Sequence, residues 1–268
     1  MTHDRISVLT IAGSDSGGGA GIQADLKTFA AHGVHGLSAI TALTAQHTRG
    51  VTAVHVPPTG FLRAQIDACF DDFDVRAVKL GMLANAEVIQ AVVEALLHHR
   101  PANIVLDPVM VATSGATLLD GDTLDLLRNR LVPLATLLTP NGPEAALLTG
   151  ARVASPEDVE DAMRALRAMG CGAVLLKGGH IDDGEEVIDR LHVGEARTEY
   201  CAPRRQVDAH GTGCTLAAAI AARLATGDGL EPAVRGAIGH VHRALARSYA
   251  PGQGDIVVLD SLSAEGNP

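Results

Sequence analysis

Ser155-Pro-Glu-Asp-Val-Glu-Asp-Ala-Met-Arg-Ala-Leu-Arg-Ala-Met-Gly170, followed almost at once by Ala173-Val-Leu-Leu-Lys177, decides the fold. Ser155 suits a helix N-cap, and Pro156 suits the first helical position, where no amide hydrogen is needed. Glu157 and Asp158 favour the positive end of the helix dipole. Val159, Met163, Leu166 and Met169 recur on one face, and Gly170 marks the stop. The short apolar run behind it reads as a strand, so the segment is a helix feeding a strand, the repeating half of a βαβ crossover. Further apolar runs at Ser7–Ala12, Leu37–Ala42, Val75–Leu80, Asn103–Leu106 and Ala135–Leu138 alternate with helical patterns in the same way. The expected fold class is α/β, with a mostly parallel central sheet. Strand-like runs at Val187–Val193 and Arg197–Cys201, separated by Gly194-Glu-Ala, predict a hairpin. With no internal repeat, low-complexity segment or linker, residues 1–268 read as one domain.

The composition narrows the function. A chain of 268 residues, 47% hydrophobic and with 29 glycines, can bury an extended core without staples. Its net charge of −10 and its lack of any Lys/Arg run argue against a nucleic-acid partner. An anionic ligand must therefore be held by local dipoles, a lysine or a metal. The start, Met1–Arg5 followed by Ile6–Ala12, is too short and polar for a signal peptide, and no apolar run is long enough to span a membrane. The expectation is a cytoplasmic protein with no membrane partner. Cysteines 69, 171, 201 and 214 show neither a C-x-x-C pair nor metal-ligand spacing, so three of them read as core or strand residues. His98-His99 reads as a solvated C-terminal helix cap.

The fourth cysteine stands apart. His210-Gly-Thr-Gly-Cys-Thr215 runs straight into Leu216-Ala-Ala-Ala-Ile-Ala-Ala222, a tight Gly-rich turn opening a helix. The backbone N–H groups of Gly211, Thr212, Gly213 and Cys214 then point at whatever lies before the positive helix end, which is an anion site. The same field favours thiolate and is expected to bring the Cys214 pKa down towards neutrality, making it a candidate general base. The alternative is a buried small thiol at a helix start. The spacing is neither that of a P-loop nor that of the dinucleotide G-x-G-x-x-G, since Leu216 stands where the last glycine belongs.

Open parallel sheets bind ligands beyond the carboxyl ends of their strands. The residues at those places are Gly13–Ile22, Gln46, Gly81-Met82, Asp107-Pro108, Thr139–Asn141 and Lys177–Gly179. Lys177, directly after an apolar strand, is poorly placed as a solvated surface residue.

These segments together resemble the ribokinase-like small-molecule kinases, and among them the hydroxymethylpyrimidine/phosphomethylpyrimidine kinases of thiamine biosynthesis. The resemblance rests on Ile11–Asp25, Thr41–Gln46, Val78–Met82, Leu106–Met110, Thr139–Glu144, Lys177–His180 and His210–Thr215, seven segments in family order. It implies a three-layer α/β/α sandwich, ATP and Mg²⁺ as cofactors, a homodimer, and successive transfer of two phosphoryl groups to a small-molecule pyrimidine. Most of the superfamily has aspartate where Cys214 stands; the pyrimidine kinases have cysteine. Gln46 matches the reader of the pyrimidine ring, while Ala20, Met82, Val109 and Gly13 match positions around it. Asp25 matches a carboxylate near the hydroxymethyl group, although its place in the sequence equally suits a first-turn helix acid. Asn141 and Glu144 form the N-x-x-E pair that helps hold Mg²⁺, with Asp107 as a further metal-side carboxylate. Lys177, Thr212 and Gly213 face the nucleotide phosphates. Asp208 matches a position with a structural or monovalent-cation role. Gly142 replaces a larger apolar residue, which should loosen the turn beside the metal, and Ala112–Ala116 is a candidate lid.

Two other readings stay open. A pyridoxal kinase shares the architecture and the cysteine loop. A protein that binds the pyrimidine without transferring phosphate would need neither Lys177 nor the Gly-rich turn.

Overall fold

The computed structural model describes residues 6–110, 121–205, 207 and 209–262. Asp208 and the candidate lid Ala112–Ala116 fall outside them.

In chain order the elements are β1 (Ser7–Asp15), α1 (Gly21–Ala31), β2 (His35–His47), β3 (Gly50–His55), α2 (Thr59–Asp72), β4 (Val75–Leu80), α3 (Ala86–His99), β5 (Ile104–Leu106), α4 (Gly121–Leu126), β6 (Leu137–Leu138), α5 (Gly142–Thr149), α6 (Pro156–Ala168), β7 (Ala173–Leu176), β8 (Glu186–Val193), β9 (Ala196–Pro203), β10 (Ala209–His210), α7 (Thr212–Ala225), α8 (Leu230–Ala246) and β11 (Val257–Val258). Nine strands form one sheet in the order β3-β2-β1-β4-β5-β6-β7-β8-β9. Pairing is parallel from β2 through β7 and antiparallel at β2–β3, β7–β8 and β8–β9. The mostly parallel sheet and the β8–β9 hairpin are as the sequence predicts.

Helices cover both faces because strand residues alternate between them. Leu9, Ile11, Val78, Leu80 and Leu106 pack with α2, α3 and α6. Val8, Ala77, Val105 and Leu175 pack with α1, α7 and α8. Residues Ala217–Ala222 of α7 are fully buried. A helix apolar all round belongs in the interior, and its alanines let it lie close on the strands, where a larger side chain would overpack by about 1–3 kcal/mol. This fixes the direction in which the α7 N-terminus points. Helix α6 starts as predicted, with Asp158 accepting the Ser155 N–H at 3.1 Å. His99 is not a solvated cap: it bonds Asp67 at 2.6 Å and stacks on Phe70.

The chain leaves β1 towards β2 on one side and returns as β4 on the other. The strand order therefore reverses at the β1/β4 boundary, and a crevice opens beyond the carboxyl ends of those two strands. The Gly-rich segment after β1 lies there, as do Gly81 and Met82 after β4.

Candidate active site

The buried Asp15 carboxylate shapes the first Gly-rich loop. It accepts the backbone N–H groups of Gly17 at 2.8 Å, Gly19 at 3.0 Å and Ala20 at 2.9 Å. That folds the loop back onto its own strand end and hands the chain to α1. The second Gly-rich loop docks against it. Gly211 has φ +83°, and a Cβ there would sit 2.1 Å from the Gly19 carbonyl oxygen, so only glycine fits. The two loops thus touch backbone to backbone, with the unbonded first-turn N–H groups of α7 opening between them.

Lys177 stands before this helix end. Its Nζ donates to Asp107 Oδ1 at 2.7 Å and lies 3.6 Å from Glu144 Oε2. A Cβ added to Gly213 would lie 3.1 Å from the same Nζ. Burial alone would lower the pKa of this ammonium, but Asp107 and Glu144 outweigh burial and raise it, so Lys177 stays charged. An ammonium and a helix N-terminus then converge on one point, as binding of a multiply charged phosphate requires.

Asn141 and Glu144 form a capping box at the start of α5. Glu144 N–H donates to Asn141 Oδ1 and Asn141 N–H to Glu144 Oε2, both at 2.8 Å. The turn is not loosened by Gly142: a Cβ there would meet the Val153 carbonyl oxygen at 2.8 Å, so the glycine permits close packing. Among the described residues, no group of three or more His, Cys, Asp or Glu side chains could hold a metal ion by itself. The Asn141 oxygen is already committed to the cap. What the site offers a cation is carboxylate charge, Asp107 and Glu144 against the single Lys177.

Burial, with Asp107 adding to it, pushes the Glu144 carboxyl up to about 7, against the opposing pull of Lys177 and the Asn141 N–H. Between its ordinary value near 4.5 and about 7, the folded protein therefore holds a proton that the unfolded chain lacks. Stability must fall as pH rises through that window. Glu144→Gln, an analogue of the protonated form, should flatten this fall. Melting curves of both proteins between pH 5 and 8 test it, and parallel curves would remove Glu144 as the cause.

Asp107, Asn141, Glu144, Lys177 and Gly211–Cys214 line one cavity of about 560 Å³, which Ala20 and Val109 also line. Val187, Ala202, Pro203, Leu216, Val241 and Leu245 add apolar surface to the same lining, beside Asp189, Arg205 and His242. The other expected substrate residues are placed differently. Gln46 lines a small adjacent cleft with Asp15 and His210, its Nε2 lying 2.7 Å from His210 Nε2 and its Oε1 accepting from Thr44 at 3.1 Å. His210, which lines both spaces, joins Gln46 to the anion loop. Gly13 and Met82 pack on each other, with Met82 Sδ 3.3 Å from where a Gly13 Cβ would be.

Two expectations change. Asp25 is not a first-turn acid: it lies in the second turn of α1, fully buried, with Oδ2 accepting from Thr10 at 2.6 Å and Lys79 at 2.8 Å. Burial raises its pKa, with Lys79 and Thr10 opposing. Cys214 is not poised near neutrality either. Burial pushes its thiol up to about 11, Asp25 and Asp107 add to this, and Lys79 and the Gly21 backbone N–H work against it. The field of one helix end is outweighed by desolvation and two carboxylates. Sequence reasoning assigned no role to Lys79, Asp15, Thr10 or His210.

An anion cradle at a helix N-terminus, a fixed ammonium and nearby carboxylates around one cavity of a doubly wound sheet define a small-molecule phosphotransferase with a ribokinase-like fold. Residues 15–259 match the phosphomethylpyrimidine kinase family model. The hydroxymethylpyrimidine/phosphomethylpyrimidine kinase of Escherichia coli is 51% identical over 81% of this chain and 82% of its own length. The thiamine biosynthesis bifunctional protein ThiED of Geobacter sulfurreducens is 48% identical over 97% of this chain, which spans about half (53%) of it. The structure of a Bacillus subtilis pyridoxal kinase bound to ADP superposes with a TM-score of 0.88 at 33% identity, covering 95% of this chain and 97% of that one. The chain belongs to the phosphomethylpyrimidine kinase family.

Proposed function

We infer that the protein is an ATP-dependent kinase that converts 4-amino-5-hydroxymethyl-2-methylpyrimidine to its monophosphate and then to its diphosphate, for thiamine biosynthesis. The observation that carries this reading is the convergence of Lys177, the α7 N-terminus and Cys214 on one cavity in a chain of this family.

The apolar side chains of the lining, among them Leu216, Val241 and Leu245, take the adenine, and the phosphates lie along Gly211–Gly213 towards Lys177. In the first transfer the Cys214 thiolate accepts the hydroxymethyl proton as the oxygen attacks the γ-phosphorus. Lys177 and the α7 N–H groups hold the charge that spreads over the moving phosphoryl oxygens. In the second transfer the nucleophile is already an anionic phosphate oxygen. Asp107 and Glu144, with Asn141 holding Glu144 in place, would hold Mg²⁺ by their carboxylate charge. When bound, Mg²⁺ neutralises phosphate charge. On the substrate side, Ala20 and Val109 pack against the ring, Gly13 and Met82 close the space behind it, and Gln46 reads the ring's amino edge from the neighbouring cleft.

The β2–β3 arm supports a homodimer, working in the cytoplasm. Leu43 on β2 is 43% exposed and Val54 on the edge strand β3 49% exposed, apolar side chains on the two faces of an arm that a second copy would cover. No helix among the described residues is long and apolar enough to cross a membrane.

Pyridoxal is the second reading, favoured by the superposition on a pyridoxal kinase. Mass spectrometry of products made with Mg-ATP from hydroxymethylpyrimidine, and in parallel from pyridoxal, separates the two. Successive mono- and diphosphates of the pyrimidine are expected; phosphate on pyridoxal alone would overturn the substrate assignment.

A further inference from the structure

The most deeply buried ion pair described in the protein lies beneath the site. Lys79 and Asp25 are both fully buried, with Lys79 Nζ 2.8 Å from Asp25 Oδ2. Thr10 and Lys79 are register partners on β1 and β4, so their side chains share the sheet face that α1 and α7 cover. Gly21 and Asp25 are four residues apart and share one face of α1. Lys79, Asp25 and the Gly21 N–H all bear electrostatically on the Cys214 sulfur, which puts the ion pair in its neighbourhood, where α7 crosses β4 and α1.

A merely structural ion pair closes its hydrogen bonds, because every open polar atom in the interior is costly. This one does not: Asp25 Oδ1 is buried without a partner. The charges facing Cys214 are Asp25 from α1, Lys79 from β4, Asp107 after β5 and Lys177 after β7. Both carboxylates oppose a thiolate. Lys177 is bound to Asp107 and stands before the α7 N-terminus beside Gly213. The cation left to favour a thiolate from below is Lys79.

We propose that Lys79 is a positioning residue for phosphoryl transfer to the hydroxymethyl group: its ammonium, locked by Asp25, is the counter-charge that allows Cys214 to become a thiolate. This rests on Cys214 being the base. The thiol first loses its proton to solvent. The thiolate then takes the hydroxyl proton while the new O–P bond forms and the bond from the γ-phosphorus to the ADP oxygen breaks, ADP leaving with that electron pair. Lys79 keeps its own protons throughout.

The test is Lys79→Met, read by the pH dependence of iodoacetamide labelling at Cys214, followed on the Cys214 peptide so that Cys69, Cys171 and Cys201 do not interfere. The labelling midpoint should rise by about one pH unit or more, since losing one nearby opposite charge shifts a pKa by about one to three units. The first transfer should fall by about 100-fold near pH 7.5 and recover as pH rises, with the second transfer falling far less. Asp25→Asn should move the labelling midpoint down. The double variant Lys79→Met/Asp25→Asn leaves no buried charge unpaired, so it guards against misfolding, and its midpoint should lie above that of Asp25→Asn alone. Unchanged labelling midpoints in the Lys79 variants would overturn the proposal. So would a shifted midpoint with equal losses in both transfers, which would leave the Lys79–Cys214 coupling standing but end the role of Cys214 as base.

Discussion

Lys177→Met is expected to cost about 10²- to 10³-fold in both phosphoryl transfers, and to destabilise the protein as well. Both effects come from one ammonium. In catalysis Lys177 is the fixed charge in front of the α7 N-terminus, and removing one such preorganised donor costs about 2.7–4 kcal/mol of transition-state stabilisation. The nucleophile does not enter this argument, so the loss should be similar with the hydroxymethyl substrate and with its monophosphate. In folding, Lys177 bonds the buried Asp107 at 2.7 Å and faces Glu144 at 3.6 Å. Methionine fills the space and leaves two buried carboxylates facing each other, a broken pair worth about 3–5 kcal/mol. The pH dependence carries a sign that identifies the cause. Lys177 holds the Glu144 pKa down, so without it that pKa rises above about 7. The stability loss should then be largest in mild alkali and shrink as pH falls and Glu144 takes a proton. Rates for each substrate, with melting temperatures at pH 6 and 8.5, test both halves. Loss of only one transfer would move Lys177 to the substrate side.

The frame was legible in the sequence because each strand is a short apolar run bounded by glycine or polar residues, and α6 carries its own start and stop signals. The rim was legible for a related reason: in an open parallel sheet the residues after each run must meet, which brings Asp107, Asn141 and Lys177 to one rim, whereas Cys214 was legible from its own Gly-rich turn. The outer half of β2 and all of β3 escaped, because from Leu43 to His55 the arm is partly exposed on both faces and shows no buried period. Lys79 escaped for another reason. Its partner Asp25 is 54 residues away, and a lysine inside an apolar strand shows its burial only once β1, β4 and α1 are assembled around it. The same distance misled the reading of Cys214. The helix end is a local feature and could be read; the desolvation and the carboxylates of Asp25 and Asp107 belong to the tertiary structure.

Cys214→Ala should separate the two transfers. The hydroxymethyl oxygen is a neutral alcohol whose proton must leave as the new bond forms, and a placed general base contributes about 10²- to 10⁴-fold to such a step. Alanine removes that contribution and leaves the cradle intact, because the Gly211–Gly213 N–H groups are set by backbone and by the contact of Gly211 with Gly19. The monophosphate presents an oxygen that is already anionic and needs no base, so the second transfer should stay within about tenfold of the unaltered protein. The pH profiles sharpen the distinction. With the thiol at about 11 in the ligand-free protein, only a small fraction is thiolate near neutrality. The first-transfer kcat/KM should therefore rise with pH from 7 towards 10 as that fraction grows, since this parameter reports the free enzyme. In Cys214→Ala the rise should vanish, and in the second transfer it should be weak from the outset. Steady-state rates with each substrate across that range decide the matter: equal losses in the two steps, or a surviving alkaline rise in the alanine variant, would make Cys214 a packing residue and require another base.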